Sequence, residues 1–191
     1  MKLILASASP RRAEILRSAG FTFSTTSSNI DETPRRGEPA IALVKRLAME
    51  KARAAAQNIR EEAVIIAADT EVVMDGRIYG KPTTEAEAQE MLASLSGKAH
   101  DVVTGLALMR MPRAELGVEH EETRVTFAQM SEQEIAAYIA TREPFDKAGA
   151  YAIQGRGGVF VTRIEGCYFN VMGLPLARLY RMLREMGWEG S

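Results

Sequence analysis

The segment Ser7-Ala8-Ser9-Pro10-Arg11-Arg12 ends a strand, turns on small residues and opens a helix with Arg11 and Arg12 in its first turn. A helix N-terminus favours anions, and cations placed there work against the helix dipole. The two arginines cost helix stability unless an anion such as a phosphate sits among them; otherwise they form an ordinary solvated turn. Lys51 falls on the helical stripe of Ile41, Val44 and Ala48, the face that should point inward. From there it either snorkels to solvent or holds anionic oxygen in a cleft. Asp69-Thr70 follows the apolar run from Ala63 to Ala68. A carboxylate at the end of a buried strand stands where α/β proteins commonly place ligands. Aspartate is a poor strand former, so its presence there asks for a cap, a turn or a site. Asp31-Glu32, in a polar loop, offers Glu32 as a metal-ligating carboxylate, although loop acids are usually just solvated.

Other motifs exclude chemistry. Gly80-Lys81-Pro82 resembles the end of a phosphate loop, but Gly76 lies too close and Pro82 replaces the hydroxyl residue that would hold magnesium. Gly155-Arg156-Gly157-Gly158 lacks the spacing and the strand–helix context of a dinucleotide fingerprint. Cys167 is the single cysteine, so there is no intrachain disulfide, and it has no nucleophile context. His100 and His120, the only histidines, do not make a histidine-built metal centre. What remains is Arg11, Arg12, Lys51 and Lys81 set against Asp69 and Glu32. These residues suit a polyphosphate grip with a metal, in which cations neutralise a triphosphate and a carboxylate activates water. That arrangement is coherent without being the only one these residues allow.

The elements that must position these groups fit one domain spanning residues 1–191. At 46% hydrophobic and 26% charged, the chain can bury a sizeable core. Its 24 basic and 25 acidic residues leave a net charge of −1, which argues against coating a nucleic-acid polymer or an anionic membrane. The apolar runs are too short to span a membrane, and Arg11 and Arg12 come too early for a secretory segment, so a cytoplasmic location is expected.

Pattern predicts a strand over 2–6, a helix from Ser9-Pro10 to about Ala19 stopped by Gly20, and a second strand over 21–25. A polar loop follows over 29–39, then a long helix from about Ile41. Next come a buried strand over 64–68 and an Asp75-Gly76 hairpin. A helix over 85–95 precedes strands over 102–109 and 123–127, joined through Pro112 and Gly117. A helix over 131–141 carries the Ser131/Glu134 capping box, followed by a strand over 159–164 and a helix over 175–186. Hairpins interleaved with helices predict an α/β fold on a mixed sheet.

The chain carries a series of ordered segments: Leu5-Ala6-Ser7-Ala8-Ser9-Pro10-Arg11-Arg12, Ala68-Asp69-Thr70, Gly80-Lys81-Pro82, and Ser96-Gly97 with His100-Asp101-Val102-Val103-Thr104-Gly105. The series continues through Asp146-Lys147-Ala148-Gly149-Ala150-Tyr151-Ala152-Ile153-Gln154-Gly155 to Gly173-Leu174-Pro175-Leu176, from about residue 3 to 176. Together these segments resemble the Maf family of nucleoside triphosphate pyrophosphatases. The resemblance implies hydrolysis of a nucleoside triphosphate to the monophosphate and pyrophosphate with a divalent cation (Mg, Mn or Co). It also implies a twisted mixed sheet with flanking helices and a central nucleotide-binding cleft, like that of inosine triphosphate pyrophosphatases, and it allows a homodimer.

By the same resemblance Asp69 is the proton acceptor, and Ser7, Arg11, Arg12, Lys51 and Lys81 bind the substrate. Glu32 and Asp69 are the metal ligands. Arg12, Thr70 and Gln154 match the branch that prefers dTTP and UTP. A glutamine amide can accept from N3–H and donate to O4 of thymine or uracil, while a flipped amide suits cytosine. Modified pyrimidine nucleotides are further candidate substrates. The alternatives are a 7-methyl-GTP or broad-specificity pyrophosphatase, and a non-catalytic nucleotide sensor of septum formation, since the family is linked to arrest of cell division. Arg142 departs from the family by replacing a frequent glycine, and Cys167 by replacing a polar residue.

Overall fold

The structure, a computed structural model, describes residues 1–190. In chain order it contains β1 (Lys2–Ala6), α1 (Pro10–Ser18), β2 (Ser24–Thr26), α2 (Ala40–Ala56), β3 (Ala63–Met74), β4 (Arg77–Tyr79), α3 (Glu85–Leu95), β5 (Ala99–Met111), β6 (Glu115–Phe127), α4 (Glu132–Ala140), β7 (Val161–Glu165), α5 (Tyr168–Val171) and α6 (Leu176–Glu185). Two 3₁₀ turns, Ala148–Ala150 and Arg156–Phe160, lie between α4 and β7. The strands form one seven-stranded sheet of order β2-β1-β3-β5-β6-β7, with β4 paired to β3. β1 runs parallel to both β2 and β3, whereas β3–β4 and β6–β7 are antiparallel, so the sheet is mixed as the hairpin signals predict. No helix of the described residues is long and apolar enough to cross a membrane.

Two compact units divide the chain, and β3, β5 and β6 contribute residues to each. The first comprises residues 1–69, 104–121 and 173–190. In it β1 and β3 are apolar without alternation because both of their faces are covered. Ile4, Ala63, Ile65 and Ala67 join Ala48, Ala52 and Ala55 of α2 in one cluster, and Leu3, Leu5, Val64 and Ile66 are buried too. Small side chains on α2 allow a close approach. Gly105 of β5 carries this furthest: a Cβ there would overlap the Val44 carbonyl of α2 and lie 2.7 Å from Lys45 N.

The second unit comprises residues 70–103 and 122–172. Its core gathers Ala88, Leu92 and Leu95 of α3, Ile135, Tyr138 and Ile139 of α4, and Val125 and Phe127 of β6. The capping box on α4 is present: Ser131 accepts from Glu134 N–H, and the Glu134 side chain accepts from Ser131 N–H. Thr84 caps α3 in the same sense. Asp75 and Gly76 both have positive φ, 52° and 77°, as the two-residue hairpin between β3 and β4 requires.

Several boundaries differ from expectation. The strand expected to stop at Ala68 continues to Met74, because Val72 to Met74 pair with β4. Asp69 therefore stands inside a strand. Gly117 belongs to β6 and not to a connection; the turn is made earlier, at the cis Met111-Pro112 peptide and Ala114, whose φ is 55°. The second strand starts at Ser24, and β7 starts at Val161 because Arg156–Phe160 forms a 3₁₀ turn that leaves Val159 exposed. Ile41 is exposed, at the edge of the stripe that α2 buries.

Candidate active site

α2 buries Leu43, Val44, Leu47, Ala48, Lys51, Ala52 and Ala55, a stripe in which Lys51 is the only charged member. Its ammonium does not snorkel. Nζ lies 2.7 Å from Asp69 Oδ1 and 2.8 Å from Glu32 Oε1. The Lys51 and Asp69 side chains are each 9% exposed, and that of Glu32 is 49% exposed. The second oxygen of Asp69, Oδ2, is buried without a hydrogen-bond partner. One half of the carboxylate is thus anchored to a cation, and the other half is free to accept a proton or bind a metal. The ion pair also accounts for an aspartate in mid-strand, since a buried carboxylate is tolerated when it is paired.

At the junction of β1 and α1, Ser7 Oγ accepts from Ser9 N–H at 3.1 Å and from Arg12 Nη1 at 3.2 Å. Arg12 Nε donates to the Gly173 carbonyl at 2.7 Å, so the guanidinium fork is fixed at two points. Burial lowers the Arg12 pKa from its ordinary value and Arg11 adds to this, while the charges of Asp69 and Glu32 oppose it. Arg12 is thereby electrostatically coupled to both carboxylates on Lys51. Ser9 takes the expected N-cap position, but its side chain makes no capping bond, and the first turn contains no acidic residue. The start of α1 suits an external anion.

The structure therefore brings together Ser7, Arg12, Glu32, Lys51 and Asp69 within the first unit, with Arg11 beside them at the start of α1. Thr70, Lys81 and Gln154 belong to the second unit. Thr70 follows Asp69 in β3, Lys81 is exposed in the connection after β4, and Gln154 is half-buried ahead of the 3₁₀ turn Arg156–Phe160. The Gly173 carbonyl is a site atom that the sequence does not reveal, because a backbone acceptor has no residue-type signature. His100 is a core residue: it is 1% exposed, Nε2 lies 2.9 Å from Tyr151 Oη, and the ring meets Phe127 edge-on. Cys167 is a free, half-buried thiol ahead of α5.

Among the described residues no cluster of three or more His, Cys, Asp or Glu is placed to hold a metal. Asp69 and Glu32 still fit a hard divalent cation, because both offer carboxylate oxygen and Asp69 Oδ2 is unsatisfied. Such ions keep several ligand positions for water and substrate phosphate and need few from protein.

A family model described as Maf-like protein matches residues 2–186. The chain belongs to the Maf family. A protein of Moorella thermoacetica named dTTP/UTP pyrophosphatase is 50% identical over 97% of this Maf chain and 95% of its own length. One of the same name from Koribacter versatilis is 51% identical, covering 98% and 95%. A Caldanaerobacter subterraneus protein, also so named, is 48% identical over 100% and 93%. Among solved structures, the HAM1 protein of Coxiella burnetii superposes with a TM-score of 0.53 at 19% identity, covering 97% of this chain and 99% of that one. The Ham1 protein of Staphylococcus aureus gives 0.52 at 15% identity, with 97% and 100% covered. At those identities the likeness shows the Maf chain's fold and nothing about its substrate.

Proposed function

We propose that this Maf chain is a metal-dependent dTTP/UTP pyrophosphatase whose single catalytic domain spans the chain. The observation that carries the reading is the buried Lys51–Asp69 pair with Asp69 Oδ2 left open, in a chain about 50% identical to relatives named for that activity. In this reading a water loses its proton to Asp69 Oδ2 as its oxygen adds to phosphorus. The α–β phosphoanhydride bond breaks, giving the nucleoside monophosphate and pyrophosphate. Lys51 holds the Asp69 carboxylate oriented, so it needs no reorganisation as it takes the proton. Arg11, Arg12, Lys81 and the Ser7 hydroxyl bind phosphate oxygens. Glu32 and Asp69 would hold a divalent cation, which supplies Lewis-acid stabilisation of phosphate charge when bound. Arg12, Thr70 and Gln154 select the base, the Gln154 amide accepting from N3–H and donating to O4 of uracil or thymine. A nucleotide substrate supports a cytoplasmic location for the chain.

The test is pyrophosphate release from a panel of canonical and modified nucleotides with magnesium, manganese or cobalt. Turnover of dTTP and UTP that stops with a chelator and returns with added metal is expected; fast purine turnover with neither pyrimidine cleaved overturns the substrate assignment. Asp69→Asn removes the proton acceptor and should lower the rate about 10²–10⁴-fold. A near wild-type rate in that variant sinks the assigned base.

A further inference from the structure

The motif Gly155-Arg156-Gly157-Gly158 matches no phosphate or dinucleotide loop, yet its three glycines are sterically required. A Cβ on Gly155 would lie 2.6 Å from Glu143 Oε2, and one on Gly158 2.6 Å from the Ile153 carbonyl. On Gly157 it would lie 2.5 Å from both the Ala152 carbonyl and Tyr138 Oη. Gly155 also has φ +83°, which side chains rarely adopt. Two side chains account for much of the crowding. Glu143 Oε1 accepts from Tyr138 O–H at 2.9 Å and from Gly157 N–H at 3.0 Å, while Oε2 accepts from Arg156 N–H at 3.0 Å. Tyr138 Oη in turn accepts from Ala152 N–H at 3.2 Å.

One carboxylate–phenol pair therefore ties down the backbone on both sides of Gln154: Ala152 before it, and Arg156 and Gly157 after it. The pair is itself anchored. Tyr138 is 3% exposed on α4, and its ring packs edge-on against Phe160. Glu143 donates its N–H to Thr141 Oγ1 at 3.1 Å, and its carbonyl accepts from Lys147 Nζ at 2.8 Å. Burial works to raise the Glu143 pKa, but the bonds from Gly157, Arg156 and Tyr138 outweigh it and hold the group below its ordinary value. The carboxylate stays an acceptor, as three donors require.

We propose that Glu143 and Tyr138 are positioning residues for base selection, fixing the backbone around Gln154 so that its amide meets a pyrimidine in one placement. This rests on the reading of Gln154 as a base contact. A glutamine amide turns end for end about its own Cγ–Cδ bond and so satisfies uracil or cytosine whatever its backbone does. A held backbone instead fixes how far the amide reaches, which sets a pyrimidine against a larger purine.

The experiment measures kcat and KM of the full chain for dTTP, UTP, dCTP and dATP in Glu143→Gln, Tyr138→Phe, Gln154→Ala and the Glu143→Gln/Gln154→Ala double variant. Glu143→Gln keeps the shape but sets an amide donor against backbone N–H groups. Tyr138→Phe keeps the ring and removes both hydroxyl bonds. In each, the dTTP-to-dATP ratio of kcat/KM should fall about tenfold, chiefly through KM for dTTP, with kcat little changed. The double variant should show the same ratio as Gln154→Ala alone. Hydrogen exchange at the Arg156 and Gly157 amides should quicken in Glu143→Gln. If that variant fails to fold, Tyr138→Phe carries the test on the same ratio. An unchanged ratio in Glu143→Gln and Tyr138→Phe, with a lowered one in Gln154→Ala, overturns the proposal and leaves the base reading standing. An unchanged ratio in Gln154→Ala overturns that reading and this proposal with it. Equal losses on every substrate reduce the pair to a structural role and overturn the proposal.

Discussion

Lys51 makes two contacts of different kinds, one to a buried aspartate and one to a half-exposed glutamate. Removing the ammonium leaves the buried Asp69 carboxylate without its ion-pair partner. Breaking a buried pair from one side costs about 3–5 kcal/mol, because the remaining charge is uncompensated. Lys51→Met should therefore lower the urea unfolding free energy by about that much and abolish turnover. A variant as stable as wild type would show that Asp69 relaxes to solvent when its partner is lost. The Lys51 and Asp69 candidates were legible in the sequence because each breaks its local pattern, a cation on an apolar stripe and an acid beside a β-branched run. Their pairing was not legible, since residues 51 and 69 meet only through the packing of α2 on β3. Nor was the Gly173 carbonyl that receives Arg12 Nε.

Elements with strong local signals are legible almost to the residue. The helix over 85–95 and the capping box at Ser131 depend on neighbours in sequence, and the structure places both as expected. Boundaries set by long-range pairing are not legible: β3 runs past Asp69 because β4 folds back on it, and β6 begins at Glu115 despite Gly117. Gly105 is a similar case, being unremarkable in sequence yet seated on the backbone of α2. Gly105→Ala must push α2 off β5 and displace Lys51 with it. It should cost about 3 kcal/mol or more and depress kcat in whatever fraction still folds, as read by thermal unfolding and pyrophosphate release. Arg142 gives the opposite expectation. Its φ of 65° lies in the left-handed region that favours glycine, and a non-glycine residue there costs about 1–2 kcal/mol. The guanidinium stacks over the Phe145 ring at 4.3 Å and pairs with Glu85, and arginine spares the chain the extra unfolded-state freedom of glycine. These terms nearly cancel, so Arg142→Gly should change stability by less than about 1 kcal/mol in either direction. A larger change would mean that the loop geometry depends on the Phe145 stack.

For the whole molecule, a net charge of −1 conceals local order in the charges. Arg178 and Arg181 share Glu119, and Arg46 links Glu38 with Glu50. The Glu38–Arg46 pair confers a pH dependence, to which a buried histidine adds a separate stage. Burial pushes the His100 imidazole down to about 4, whereas the unfolded side chain titrates near its ordinary 6.5. Between those values the unfolded chain binds a proton that the folded chain refuses. Stability therefore falls as pH drops from 6.5 towards 4, by a total of about 3 kcal/mol. Glu38 acts lower still: bonded chiefly by Arg46, its carboxyl is held at about 2, so its contribution is present above the ordinary carboxylate range and is lost as pH falls through about 2. Urea midpoints measured from pH 7.5 down to 4.5 isolate the histidine stage. His100→Phe keeps an aromatic ring against Phe127 and Tyr151 but cannot titrate; losing the bond to Tyr151 Oη should lower its stability at pH 7.5. The decisive quantity is the slope. It should be steep in the wild type between pH 6.5 and 4.5 and nearly flat in His100→Phe, and an equal slope in both would move the acid sensitivity from this core to the surface carboxylates.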